Sequence, residues 1–312
     1  MFACAATLTA CGLLPGSGGS DQTQVERNTL RIGVMPVVDV APLKLALNNK
    51  LFEKAGLQVQ LVTVASEAEG IKQLDTTLDV TWASHVNLFT QVSKGAQLQL
   101  QGEAYQAGAN SMALVTTNPD YTTPGKLASP RIAVNDVNDI GALTTKAVLR
   151  TAGVEKGRIR FNEMGFDQMA NALTSKTVDA AWMVEPYITK AQRDIGARIL
   201  TDTAVGPTKD FPMSGYAASK KFADANPKTL ALFRSVLRDA QQAASNDKLS
   251  VQDALTGYVD VDQQTAALVS VGTFPLSLNP VRLQRVADMM DTEDVLPGRL
   301  DVGGLLPPGT AN

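Results

Sequence analysis

Leu78-Asp79-Val80-Thr81-Trp82-Ala83-Ser84-His85 and Val178-Asp179-Ala180-Ala181-Trp182-Met183-Val184-Glu185 read as two copies of one phrase. Each follows an apolar helical stretch that ends in a Leu and a Thr-rich turn, Leu74 to Thr77 and Leu173 to Thr177. Helix, turn, Asp, short apolar strand and Trp, written twice, predict two related α/β lobes. If both strands point at a shared cleft, each lobe brings one aromatic to it, which is the plan of a clamshell binder. The alternative left open is that both Trp side chains are core residues and the likeness is chance, since buried α/β strands resemble one another.

Composition agrees with two lobes. A chain of 312 residues with 44% apolar content can bury one large or two medium cores. The net charge of −3 supplies no basic field, so nucleic acid is not expected as a partner. No apolar run approaches the roughly 18 residues that a membrane span needs.

The N-terminus carries a separate signal. Phe2 to Ala10 is short, apolar and rich in small residues, and leads into Leu8-Thr9-Ala10-Cys11-Gly12. It reads as the apolar region of a secretory signal. Leu-x-Ala before a Cys resembles the lipobox of bacterial lipoproteins, which implies lipidation of Cys11 and a signal peptide over 1–11. Residues 12–28, with Gly16-Ser17-Gly18-Gly19-Ser20, then form a flexible tether. The expected location is extracytoplasmic, with a lipid anchor as the sole membrane contact. No basic stretch precedes Phe2, a departure from the pattern that leaves room for a start upstream of Met1. With Cys4 removed and Cys11 consumed, the mature domain keeps no thiol for a disulfide, a zinc site or a nucleophile.

Helices and strands alternate along the rest. Leu30 to Val34 is a strand ending at Met35-Pro36, Pro42 opens a helix through Leu51 that Gly56 stops, and Leu57 to Val64 is a second strand. Arg131-Ile132-Ala133-Val134 opens a second series, in which Phe166, Met169, Ala170 and Leu173 form one apolar helical face. Tyr216-Ala217-Ala218 returns to the first lobe, and Asn226-Pro227 and Asn279-Pro280 begin later helices. The expected division is lobe 1 over 29–110 plus 216–312 and lobe 2 over 111–215, with crossovers near 109–116 and 211–218.

The lipobox, Ile32-Gly33-Val34-Met35-Pro36, Phe52-Glu53-Lys54-Ala55-Gly56-Leu57 and Asp179-Ala180-Ala181-Trp182-x-x-Glu185-Pro186-Tyr187 together resemble one family. They are similar to the nitrate, sulfonate, taurine and thiamine-pyrimidine-precursor binding proteins of ABC importers, over roughly residues 29–290. The resemblance implies the type II periplasmic-binding-protein fold, two α/β lobes joined by two crossovers with a ligand cleft between them. It also implies capture of a small nitrogen- or sulfur-containing organic nutrient of the sulfonate, taurine or nitrate type, with a neutral or cationic heterocycle such as a thiamine pyrimidine precursor as the alternative, and delivery to permease and ATPase subunits. A monomer is expected, with no cofactor and no catalysis. The turn before Asp79 is one residue shorter than that before Asp179 and lacks the family's usual Gly.

In open α/β sheets the crevice lies beyond the carboxyl ends of the strands. Those ends contain the candidate ligand contacts Asp39, Trp82, Ser84, His85, Ser111, Asn135, Asn138, Asp139, Trp182, Glu185, Tyr187 and Met213. Asn135 to Gly141 is a candidate oxygen-binding cradle or an ordinary capped loop. Glu185 is either a ligand contact or a structural carboxylate at the hinge. These ends hold Asp39, Glu67, Glu69, Asp136, Asp139 and Glu185 but no Arg, which lowers the expectation of a sulfonate or nitrate ligand and raises that of a neutral or cationic heterocycle. His85 is the lone histidine, so a metal site is not expected. No Gly-x-Ser-x-Gly, Gly-x-Gly-x-x-Gly or Gly-x-x-x-x-Gly-Lys loop appears. The enzymatic rival is a pyrimidine-precursor synthase on the same fold, whose related enzymes use a Cys-rich iron motif that has no counterpart here.

Overall fold

The computed structural model describes Met1 and residues 25–309, so Cys11 and most of the expected tether lie outside the described residues. Ten strands form two five-stranded sheets. The first holds β1 (Thr29–Val34), β2 (Gln58–Thr63), β3 (Val80–Ser84), β4 (Leu98–Gln106) and β10 (Pro212–Ser219) in the order β2-β1-β3-β10-β4. The second holds β5 (Met112–Thr116), β6 (Arg131–Val134), β7 (Arg160–Glu163), β8 (Ala180–Val184) and β9 (Arg198–Asp202) in the order β7-β6-β8-β5-β9. β3, β5, β8 and β10 are buried along their whole length, as strands covered on both faces must be, and their sequences are correspondingly rich in small and apolar residues. The edge strands β2 and β7 are largely exposed.

The two sheets repeat one another in detail. In each, three strands run parallel and a strand from the far side of a crossover inserts antiparallel, β10 against β3 and β5 against β8. The Asp of the repeated phrase explains its recurrence. Asp79 Oδ2 accepts from Arg31 N (2.8 Å) and Nε (3.2 Å) while Oδ1 accepts from Nη2 (2.9 Å). Asp179 does the same for Arg131, at 2.8, 3.1 and 2.9 Å. Each carboxylate thus caps a free main-chain N–H and grips the guanidinium beside it, tying the start of one parallel strand to the next.

The chain passes between sheets over 107–111 and returns over 203–211; β5 and β10 are inner strands rather than connections. Pro212–Gly215, placed in lobe 2 on sequence grounds, pairs within the first sheet, Ser214 lying opposite Ser84 and Gly215 opposite Ala83. The helix expected from Pro42 through Leu51 is two, Ala41–Asn48 and Leu51–Lys54, broken where Lys50 adopts a left-handed backbone (φ 56°). After β10 the helices Pro227–Asn246 and Pro280–Thr292 cover the first sheet, Leu230, Phe233, Val236 and Leu237 of the former joining its core. Among the described residues no helix is long and apolar enough to cross a membrane.

Candidate functional site

The carboxyl ends of the strands from both sheets converge on a small cavity of about 30 Å3. Lobe 1 lines it with Met35, Val37, Asp39, Glu67, Trp82, Ser84, Met213 and Ser214, and lobe 2 with Asn135, Ile140, Phe166, Trp182 and Val184. The period of two along a strand puts Trp82 and Ser84 of β3 on one face, and Trp182 and Val184 of β8 on the equivalent face. Two glycines let helices come close enough to complete the walls. A Cβ on Gly70 would meet Thr81 Oγ1 at 2.5 Å, so Gly70 allows the helix Glu67–Lys72 to lie on β3 and brings Glu67 to the Ser84 main chain. A Cβ on Gly141 would meet Trp182 Cε3 at 2.7 Å, so Gly141 allows the helix Ile140–Thr151 to rest on the indole.

The aromatic side is fixed by packing. Trp182 Nε1 donates to Thr203 Oγ1 (3.0 Å), and Phe166 leans on the indole at 6.2 Å while stacking on Tyr187 at 4.9 Å. Among the described residues Trp82 Nε1 and Asn135 Oδ1 are buried without a partner, so one donor and one acceptor remain unsatisfied on the cavity wall.

The polar side is acidic. Asp39 (3% exposed), Glu67 (7%) and Asp139 (1%) are all buried. Burial pushes the Asp39 carboxyl up to about 6, against a hydrogen bond from Ser214 Oγ to Asp39 Oδ2 that favours its ionised form. Glu67 is pushed well above the ordinary range by burial and then by the negative charge of Asp139, although it accepts from Ser84 N at 2.8 Å. Asp139 is raised by its own burial, while its Oδ1 accepts a short hydrogen bond from Ser84 Oγ. Ser84 therefore joins the lobes: its N–H holds Glu67, its O–H holds Asp139, and its oxygen caps the helix His85–Ser93 by accepting from Asn87 N (2.9 Å). Among the described residues no Lys or Arg lines the cavity.

Of the residues singled out from sequence, Asp39, Trp82, Ser84, Asn135, Trp182 and Met213 line the cavity, and Asp139 sits immediately behind Ser84 and Asn135. The others lie elsewhere. His85 begins a helix, is fully buried against Gly215 and Phe89, and burial with the nearby Arg282 charge holds it down at about 3, hence neutral. Ser111 shapes the first crossover through reciprocal bonds with Gly108, both 2.9 Å. Asn138 is exposed, its N–H on Asp136 Oδ1. Glu185 accepts from Thr189 N (3.1 Å), Thr189 Oγ1 (2.8 Å) and Ser270 N (3.0 Å), so it fastens lobe 2 to the C-terminal segment. Tyr187 faces an outer groove of about 480 Å3, which shares Phe166 with the cavity. Sequence reasoning passed over Glu67, Phe166 and Ser214 as contacts, though Glu67 and Ser214 fall within strand-end stretches. A surface groove of about 400 Å3 bearing Arg234 and Arg238 lies over β4, away from the strand ends.

Residues 23–255 match the model of the NMT1-like family. The chain belongs to the NMT1-like family. A protein of Brachyspira hyodysenteriae named an ABC transporter periplasmic binding protein is 25% identical over 277 residues, covering 83% of this chain and 76% of its own. Among solved structures, the periplasmic aliphatic sulphonate binding protein of Escherichia coli superposes with a TM-score of 0.75 at 18% identity, over 92% of this chain and 94% of that one. The periplasmic nitrate-binding protein of Synechocystis PCC 6803 gives 0.68 at 17% identity, over 77% of this chain and 69% of that one. At these identities the structures speak for the fold, and this NMT1-like chain has the type II periplasmic-binding-protein fold, two α/β lobes joined by two crossovers.

Proposed function

We propose that this protein is the solute-binding component of an ABC importer and encloses a small, flat nitrogen-containing organic solute between its lobes. The observation that carries the reading is the cavity itself, walled by Trp82 from one copy of the repeated phrase and Trp182 from the other. Phe166 and Trp182 suit a planar ring, while the free Trp82 Nε1 and Asn135 Oδ1 suit a ligand edge with one acceptor and one donor. A sulfonate, taurine or nitrate would meet Asp39 and Glu67 with no lining cation to offset them. The cavity holds little more than water as it stands, so a solute enters by separation of the lobes about the segments 107–111 and 203–211.

The protein acts as a monomer, hands its ligand to permease and ATPase subunits, and is held at the outer face of the cell membrane through lipidated Cys11. The relative named as a transporter binding protein and the lipobox-like Leu8-Thr9-Ala10-Cys11 support this placement. The binding test is a thermal-shift and Trp-fluorescence titration of the purified protein with aminopyrimidines, amidines, sulfonates and nitrate. A solute at 100 times its Kd stabilises by about 2.7 kcal/mol. Turnover of any solute, or unchanged emission at saturation, refutes the proposed role. Mass spectrometry of the protein from membranes checks for a diacylglyceryl group on Cys11, which Cys11→Ala removes.

A further inference from the structure

We propose that Glu67 and Asp139, one from each lobe, form a cross-cleft carboxylate pair that selects organic cations, because only a positive charge lets the lobes close on it at neutral pH. The inference rests on the solute-binding reading above and names the ligand class of that site.

The two carboxylates come from different lobes and meet at one residue. Glu67 opens the helix Glu67–Lys72 of lobe 1, and Asp139 directly precedes the helix Ile140–Thr151 of lobe 2. Both touch Ser84, Glu67 through the main-chain N–H and Asp139 through the hydroxyl. The single hydroxyl proton is committed to Asp139, so Ser84 cannot also neutralise Glu67 by donating it there. Asp139 has two further donors, Asn135 Nδ2 at a long 3.4 Å and the Ile140 main-chain N–H, both uncharged. Closure thus takes two carboxylates from water into one buried place.

The other charges around the pair make this worse rather than better. Asp39, in the turn Val38–Val40, acts on Glu67, and Asp136, in the loop before Ile140, acts on Asp139; both are acidic. Glu69 shares the Glu67 helix, and Glu163 at the end of β7 holds Val137 N. His85, the next residue after Ser84, is neutral and turned toward Gly215. Lys72 lies at the far end of the Glu67 helix. The helix N-termini at His85 and Ile140 offer only partial positive charge.

Two carboxylates this close are tolerated when a proton or a cation sits between them. A metal ion does not fit, since no group of three or more His, Cys, Asp or Glu side chains among the described residues is arranged to hold one. An organic cation does fit: its N–H groups can donate to Glu67 and to Asn135 Oδ1 on the cavity wall, its charge offsets Asp139 immediately behind them, and its flat face meets Phe166 and Trp182. At low pH a proton takes the cation's place, so acid closes the lobes without ligand and competes with it.

The test uses the purified full chain and three isosteric probes, benzamidinium, benzamide and benzoate, with taurine, methanesulfonate and nitrate as a second arm. Affinities are read by Trp fluorescence and calorimetry at pH 5.0 and 7.5. At pH 7.5 benzamidinium is expected to bind about tenfold or more tighter than benzamide, the ratio that separates a charge-assisted from a neutral hydrogen bond, with benzoate not binding. Glu67→Gln and Asp139→Asn, each isosteric, are expected to bring benzamidinium and benzamide within about twofold of each other and to flatten the pH dependence. Folding of each variant is checked by circular dichroism, and either variant alone suffices. Equal affinity for benzamidinium and benzamide in the wild type, or an unchanged ratio in both variants, overturns cation selection. Binding of the sulfonates or nitrate without benzamidinium overturns it while sparing the importer reading; silence in both arms overturns both.

Discussion

Asp39→Asn should stabilise the protein at neutral pH and not in acid. Asp39 sits in the turn after β1, 3% exposed, with Ser214 Oγ as its hydrogen-bond donor. Burial raises its carboxyl from the ordinary 3.8 to about 6. The folded protein therefore holds this proton more tightly than the unfolded chain. Below pH ~4 the group is protonated in both states and has no effect on stability. As pH rises through the window from about 4 to about 6 the unfolded chain ionises first, and stability falls. Above that window the penalty is constant, about 3 kcal/mol for a shift of roughly two units. An Asn keeps the size and an oxygen to accept from Ser214, but its amide needs an acceptor of its own, which offsets about 1 kcal/mol. The expected gain is about 2 kcal/mol at pH 7.5, shrinking to zero or reversing at pH 4. Urea denaturation at pH 4, 5, 6 and 7.5, read as midpoint shifts at constant slope, measures it. Parallel stability curves for the two proteins across that range would refute the assignment of a raised Asp39.

Asp79→Ala should destabilise by about 3 kcal/mol and Asp179→Ala by about 2 kcal/mol in urea, since each orphans a main-chain N–H beside a half-exposed Arg. The difference follows from the deeper burial of Asp79 (2% against 19% side-chain exposure) and its extra partner Arg27. Neither should alter solute affinity, because both clasps lie at the strand ends away from the cavity. Gly141→Ala forces the Trp182 ring to shift; about 1–2 kcal/mol of stability is lost by overpacking after the helix-propensity gain, and the Trp emission maximum should move. His85→Leu should make the protein less acid-sensitive. Burial lowers the folded His85 to about 3, so its neutral-state stability is complete above pH 6.5 and is lost as pH falls toward 3, a loss the variant lacks.

The sequence was legible where period and strand ends act together. Trp82 and Trp182 end short apolar strands, and the rule that clefts open beyond such ends placed Asp39, Ser84, Asn135 and Met213 on the cavity as well. It failed one residue further on. His85 and Tyr187 already belong to helices, whose turn carries their side chains off the cavity wall. Glu67 and Glu69 lay in the same strand-end stretch, and helix phase alone separates the buried first from the half-buried third. Phe166 shares a helical face with Met169 and Leu173, but its place in the first turn lets it reach the cleft. Glu185 is claimed by Ser270 N, a contact across 85 residues that no local pattern announces. The edge strands β7 and β9 are too short to show a clear alternation, whereas in β4 Leu98-Gln99-Leu100-Gln101 alternates and was a legible signal.

The repeat explains both the likeness of the lobes and the polarity of the site between them. Arg31 and Arg131, Asp79 and Asp179, Trp82 and Trp182 occupy matching positions, and at the strand N-termini they do matching work. At the carboxyl ends the copies part. Two residues past each Trp stand Ser84 and Val184, both on the cavity, one polar and one apolar. Trp182 Nε1 is tied to Thr203, whereas Trp82 Nε1 has no partner among the described residues. Glu67 bonds Ser84, and Ser214 pairs beside it with Asp39 behind Ser214, whereas Val184 shares its wall with Ile140 and Phe166. The cavity therefore has a lobe 1 wall that sets Asp39, Glu67, Ser84 and Ser214 among Met35, Val37, Trp82 and Met213, and a largely apolar lobe 2 wall, with Asn135 at the seam and Asp139 behind it. On the proposed reading, a flat solute laid on the lobe 2 aromatics would turn its edge to lobe 1, where burial makes an unpaired carboxylate costly and a matching donor valuable. On that reading closure favours solutes that satisfy both walls at once, and a lobe pair built on one repeated phrase discriminates through the few positions where its copies differ.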